Sequence, residues 1–349
     1  MREPRHYVTL PLAVACLHIV GAVHRESTFG ANTALTPTEA IAFLPTERHV
    51  NWYYFHPKDG TNFGDQLNVL LAQCVSDLIP GLHVTATHKN SVIHKVLGIG
   101  SVLSPSVGVL QPGDYVLGAG HIDGCEEHSL ETREAFMQQM APPEVTYGAT
   151  RGKLTAACYP PGTFEMYGDP GLYLPTLCPN WGALMDSSNR ERTQTCLLAH
   201  MHDGTGLMEA FGDFAHPSLL LKLSVFADPF ELARNMSKFC RLVVSSSLHG
   251  LIVSDALQIP SVRWKAPSDA SPTPLAAKVN ADFKYYDYFT GIDYHHDSKD
   301  AVSQVPHIPG LPSSIAASAE TRTGPRIDGA STNSKAWRWL SLLNRTLMR

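Results

Sequence analysis

Residues Cys240 to Ile252 commit this chain to a strand that runs straight into a helix. Cys240-Arg241-Leu242-Val243-Val244 is apolar and β-branched, Ser245-Ser246-Ser247 follows, and Leu248-His249-Gly250-Leu251-Ile252 resumes with helical character. Three small hydroxyl residues at such a junction leave backbone N–H groups and the positive end of the helix dipole facing outward, which is a ready anion site. His249 stands on its rim, where an imidazole can give or take a proton beside a bound anion. The same residues also describe a serine-capped buried helix with a satisfied core histidine. Other segments of the chain decide between the two.

The pattern recurs along the chain. Val50–Phe55 is a β-type aromatic run. The turn-rich stretch 56–64 leads into a helix whose Leu67, Leu70, Leu71, Cys74, Val75 and Leu78 share one face, with Asp65 at the cap position and Pro80-Gly81 as the stop. Further strands are expected at Val96–Ile99, Tyr115–Leu117, Val145–Tyr147, Thr195–Ala199 and Leu242–Val244. Strands alternating with helices predict an α/β architecture with parallel sheets. At 349 residues the chain is long enough for about two domains. A polar stretch at 179–192 divides an N-terminal α/β domain (49–178) from a C-terminal one (190–296), with a cleft between them. Residues 297–349 form a Pro/Ser-rich tail that ends in a short basic amphipathic helix from Lys335, expected to pack on the body.

The first 22 residues read as a targeting segment. Positive charge precedes an apolar run from Val8 to Ile19, and Gly21-Ala22 suits cleavage. A signal peptide or a short membrane anchor follows, and either puts the body in the secretory pathway, in the Golgi lumen or secreted. The anchor reading also gives the N-terminus a membrane association. Residues 23–48 are a flexible lead-in. Beyond Cys16, six cysteines remain, an even number that permits disulfides there, although buried thiols fit as well. Two sequons, at Asn235 and Asn344, are compatible with that compartment. A net charge of −5 offers nucleic acid no basic surplus. The histidines are scattered without zinc-site spacing, so no metal ligands are assigned.

Seven motifs fall where loops enter helices: Asn62-Phe63-Gly64-Asp65, Gly98-Ile99-Gly100-Ser101, Gly118-Ala119-Gly120, Arg151-Gly152-Lys153-Leu154-Thr155, Tyr167-Gly168-Asp169-Pro170, Ser245-Ser246-Ser247-Leu248-His249-Gly250 and Phe283-Lys284-Tyr285-Tyr286-Asp287-Tyr288-Phe289. Dinucleotide, P-loop and hydrolase-elbow motifs are absent. In this order the segments resemble the polysaccharide pyruvyl transferase family, in the SSSLHG branch similar to bacterial exopolysaccharide ketal-pyruvate transferases. The likeness covers residues 50–292. It implies two Rossmann-like domains facing a cleft, as in GT-B glycosyltransferases. It also implies phosphoenolpyruvate as co-substrate, with no cofactor, and a sugar diol of a glycan or polysaccharide as acceptor. The product would be a pyruvate ketal.

That chemistry asks for cations around a small anion, backbone donors, and one group that carries a proton. His249 is the candidate acid/base. Arg151 is expected to clamp the donor anion, with Lys284 as second cation and the Ser245, Ser246 and Ser247 loop on phosphate. Asn62, Gly64, Asp65, Gly100, Ser101 and His200 complete the expected substrate-binding set. Asp65 serves as helix cap or acceptor partner, and Asp169 is read as structural. Much of the wider family carries an arginine where this chain has Ser247, so the donor charge must come from Arg151, Lys284 or Arg263. Participation of a divalent cation is left open. Two other readings share the fold: a glycosyltransferase using a nucleotide sugar, and a catalytically inactive glycan-binding homologue.

Overall fold

The protein is described by a computed structural model covering residues 47–56, 63–104, 107–125, 144–186, 192–201, 220–264, 283–293, 319–322 and 329–348. The targeting segment, nearly all of the lead-in and residues 187–191 of the divide lie outside these, as do Asn62 and most of the tail. In chain order the elements are β1 (Arg48–Tyr53), α1 (Phe63–Leu78), β2 (Leu82–Thr87), β3 (Lys95–Leu97), β4 (Tyr115–Leu117), β5 (Thr146–Thr150), α2 (Lys153–Ala156) and β6 (Met166–Tyr167). A 3-10 turn at Pro170–Tyr173 leads to α3 (Leu174–Leu177) and α4 (Pro179–Asp186). There follow β7 (Gln194–Leu198), β8 (Leu220–Leu223), α5 (Pro229–Phe239), β9 (Cys240–Ser245), α6 (Leu248–Ala256), β10 (Ser261–Trp264), α7 (Phe283–Gly291), β11 (Ala319–Arg322) and α8 (Gly329–Met348).

The strands form two sheets. The first has six strands in the order β2-β1-β3-β4-β5-β6, every pairing parallel. The second has five in the order β11-β10-β9-β7-β8, parallel except for β11 on its edge. Burial explains the strand sequences. β3 is buried throughout, Lys95 included, and β9 at all but Arg241, so β9 reads as a continuous apolar run rather than an alternating one. Helix α1 turns Leu67, Leu71 and Val75 into the main core, where α6 places Leu251 and Ile252. The expected strands and the α1 helix are all present. β2, β6, β8, β10 and β11 were not expected from sequence, being short or following directly on a turn, and β11 lies within the segment read as a tail.

The tail helix packs as expected and begins earlier, at Gly329. It buries Ala336, Trp339, Leu340 and Leu343. The fully buried Trp339 lies against Trp52 and Tyr173 and donates its Nε1–H to the carbonyl of Leu117 at 2.9 Å. Among the described residues no helix is long and apolar enough to cross a membrane. All six body cysteines are paired: Cys74–Cys178, Cys125–Cys158 and Cys196–Cys240. The second sequon sits inside α8 with Asn344 and Thr346 buried, so a folded chain presents no glycan acceptor there.

Truncating Trp339 to Ala removes a buried ring and a hydrogen bond at once. The expected loss is about 3–5 kcal/mol of unfolding free energy, read from urea denaturation. A loss under 1 kcal/mol would mean that α8 does not belong to the cooperative core.

Candidate functional site

One pocket gathers the chemistry, and every segment that lines it follows the carboxyl end of a strand or opens a helix. Phe55 comes after β1, Gly100 and Ser101 after β3, His200 after β7, and Ser247 with His249 after β9. Asp65 comes from the first turn of α1, inside the helix and not at the cap position expected of it, and Lys284 from that of α7. The volume is about 250 Å³. Thus the pocket sees the positive ends of α1 and α6 together with an ammonium, an arrangement that favours a bound anion.

His249 is the singular group here. Its residue is half-buried, yet its Nε2 is fully enclosed and has no hydrogen-bond partner. The ring lies edge-on to Phe63, 6.4 Å between centroids. It also presses on Gly64 so closely that a Cβ there would collide with the imidazole. Glycine at 64 is therefore the price of His249's position. Burial, reinforced by the positive charges of Lys284 and Arg151, pushes the imidazole down to about 3 and holds it neutral.

The serine loop behaves differently from expectation. The Ser245 hydroxyl donates to the carbonyl of Leu198 at 2.8 Å and accepts from the Ser247 amide at 3.0 Å. Ser246 Oγ accepts from the His200 amide at 2.9 Å. Both hydroxyls are thus engaged by the backbone and shape the loop. Of the three serines only Ser247 lines the pocket, and its side chain makes no cap bond to α6.

Arg151 also departs from its expected place. It is fully buried and is not on the pocket wall. Its Nε donates to Asp287 Oδ2 at 2.9 Å, its Nη1 to Ser101 Oγ at 2.6 Å, and its Nη2 to the carbonyl of His121. A guanidinium held on three sides cannot clamp a ligand without breaking this set. Arg151 instead orients Ser101 and contributes positive potential from behind the wall. Asp287 is held in turn by the Thr155 amide at 2.7 Å and the Thr155 hydroxyl at 2.6 Å. Sequence reasoning assigned Asp287 no role, because its partner lies 136 residues away and no local pattern links them. Arg263 stacks over the Tyr285 ring at 3.8 Å and is also off the wall.

Helix α7 joins these parts. The Tyr285 hydroxyl donates to the Ser246 carbonyl at 2.5 Å, Asp287 reaches Arg151, and Lys284 reaches the pocket with its ammonium 5.3 Å from the Tyr285 ring. Asp169 accepts from the Gly171 amide and caps the 3-10 turn, the structural role read from sequence. Its burial raises the carboxyl to about 7. Asn62 lies outside the described residues, among which no group of three His, Cys, Asp or Glu is placed to hold a metal.

Two outcomes are expected. Asp287→Ala strands the Arg151 charge in the interior and costs about 3–5 kcal/mol of stability, measured by denaturant unfolding. For His249 the sign follows from its lowered value. The unfolded chain binds a proton below about pH 6.5, which the folded chain refuses until about pH 3. Stability from this group is therefore complete above about pH 6.5 and is lost as pH falls. His121, also pushed down to about 3 by burial, adds in the same direction, while Asp169 runs the other way. The difference between wild type and His249→Gln isolates the term. Unfolding midpoints should fall more steeply for wild type between pH 6.5 and 5; parallel profiles would contradict the neutral, buried imidazole.

No protein-family model, no curated protein and no solved structure matches this chain.

Proposed function

We propose that this chain is a pyruvyl transferase that moves the enolpyruvyl group of phosphoenolpyruvate onto a sugar diol of a glycan, forming a cyclic ketal. The observation that carries the reading is His249, a neutral imidazole with an enclosed, unpartnered nitrogen at the positive end of α6, in a pocket shared with Lys284. The paired sheets, both delivering carboxyl-end loops to one pocket, support a GT-B-like arrangement of two Rossmann-like halves. The three disulfides and the apolar N-terminal run support an oxidising, secretory-pathway setting.

The reaction divides among the groups present. Lys284 and the N–H groups of α1 and α6 hold the phosphate and carboxylate. Bound there, the donor offsets the Lys284 and Arg151 charges that add to burial in keeping His249 neutral, and the imidazole gains a proton as the anion enters. That proton goes to the methylene carbon, leaving a carbocation at C2 stabilised by its oxygen. The first sugar hydroxyl adds to C2 and gives its proton back to His249. The C2–O bond to phosphate then breaks with its electron pair leaving on phosphate, and the second hydroxyl closes the ring. Of the two hydroxyl protons one ends on the new methyl group and one on phosphate. Asp65, on the same pocket, is placed to accept from an attacking hydroxyl.

The experiment incubates the protein with phosphoenolpyruvate and a panel of galactosides, mannosides and glucosides, following phosphate release and product mass. Phosphate matched by a ketal on one sugar is expected, with His249→Ala about 10²–10⁴-fold slower but still binding donor. Nucleotide-sugar binding without any response to phosphoenolpyruvate would overturn the proposal in favour of a glycosyltransferase. Sugar affinity with no turnover and no effect of His249→Ala would mean a glycan-binding protein.

A further inference from the structure

The pocket's lining holds two chemically distinct sets of side chains, and a phosphoenolpyruvate anion accounts for one of them. Opposite in character to Ser247, His249 and Lys284 are Phe55, Val102, Val107, Ile122 and Met201, which line the same space. Phosphoenolpyruvate carries two anionic groups and offers this wall a single methylene. An apolar wall beside an anion site gains only from a ligand that brings apolar surface of its own.

Phe55 is the exposed member of that wall. It is 41% accessible, whereas Val102 is buried, and it sits two residues beyond β1. The other large apolar side chains with comparable exposure among the described residues are Val69, Ile93 and Phe226, none of which lines the pocket. A carboxylate and an imidazole, Asp65 and His200, share the pocket with it. A flat aromatic face beside hydrogen-bonding side chains matches a pyranose. Its ring C–H bonds present a weakly positive apolar face to the negative face of an aromatic ring. Its hydroxyls, at the rim, suit a carboxylate acceptor and an imidazole. A lipid tail would use the wall and leave Asp65 and His200 without a role.

Resting on the pyruvyl-transfer reading above, we propose that Phe55 is the stacking platform of a sugar-acceptor subsite, with the pyranose hydroxyls directed to Asp65 and His200. The ring is thereby laid across the apolar side of the pocket, with its diol turned toward the anion end. Phe55 then sets acceptor specificity without touching the donor.

The test uses the full chain with methyl β-galactopyranoside, methyl α-mannopyranoside and methyl β-glucopyranoside, one at a time. Each is titrated with and without phosphoenolpyruvate by calorimetry and saturation-transfer NMR. One glycoside should receive saturation chiefly at the C–H protons of one ring face. Phe55→Ala should weaken it about five- to tenfold, while Phe55→Trp keeps the affinity. Both variants should bind phosphoenolpyruvate within about twofold of wild type and unfold at its urea midpoint. The subsite is refuted if no glycoside binds under either condition, if Phe55→Ala binds as tightly as wild type, or if that variant weakens donor and sugar alike. Glycoside binding that depends on Phe55 in a protein with no affinity for phosphoenolpyruvate would uphold the subsite and overturn pyruvyl transfer.

Discussion

The buried contact between Arg151 and Asp287 is the constraint on which the pocket rests. It joins the loop after β5 to a helix 136 residues further on. Burying such a pair is costly unless every remaining donor and lone pair is met. Here each guanidinium nitrogen and each carboxylate oxygen has a partner, through the pair itself, Ser101, the His121 carbonyl and both the amide and hydroxyl of Thr155. The backbones approach so closely that a Cβ on Gly152 would strike the carbonyl of Asp287. With α7 seated this way, Tyr285 falls on the Ser246 carbonyl and Lys284 on the pocket. One ion pair thus sets the position of a wall serine, the serine loop's partner and the pocket's cation.

The electrostatics of the pocket follow from that placement. Positive potential comes from Lys284, from Arg151 behind the wall, and from the ends of two helices. Asp65 is the carboxylate that shares the space. Burial holds the imidazole of His249 neutral, and the charges of Lys284 and Arg151 add to it. An incoming anion reverses the balance. On the proposed pyruvyl-transfer reading, the same residues act as a binding site and as a device that charges the acid only in the presence of its substrate.

Local patterns carried the fold well and the site unevenly. Strands and helices declared themselves by apolar runs, as in β9, and by periodicity, as in α1. The clustering of loop motifs at one pocket follows from parallel sheet topology, so Gly100, Ser101, Ser247 and His249 were found from their positions at strand ends. What local pattern could not show was the direction in which a side chain spends its hydrogen bonds. Ser245 and Ser246 look like ligand donors in sequence and are backbone braces in the structure. Arg151 looks like an anion clamp and is fixed by a carboxylate that only the tertiary fold brings near. Phe55 has no motif at all, since an exposed aromatic is distinguishable from a buried one only once the pocket is formed. The cysteine pairing is likewise a property of three-dimensional proximity, with 104 residues separating Cys74 from Cys178.

The central claim is that an anion entering this pocket protonates His249. Nitrogen-15 NMR of the histidine-labelled protein at pH 7, before and after saturating phosphoenolpyruvate, addresses it directly. The account predicts a neutral imidazole at His249 in the free protein and an imidazolium in the complex, with the other described histidines outside the pocket unchanged. A charged His249 in the free protein, or a neutral one that stays neutral at saturation, would contradict it.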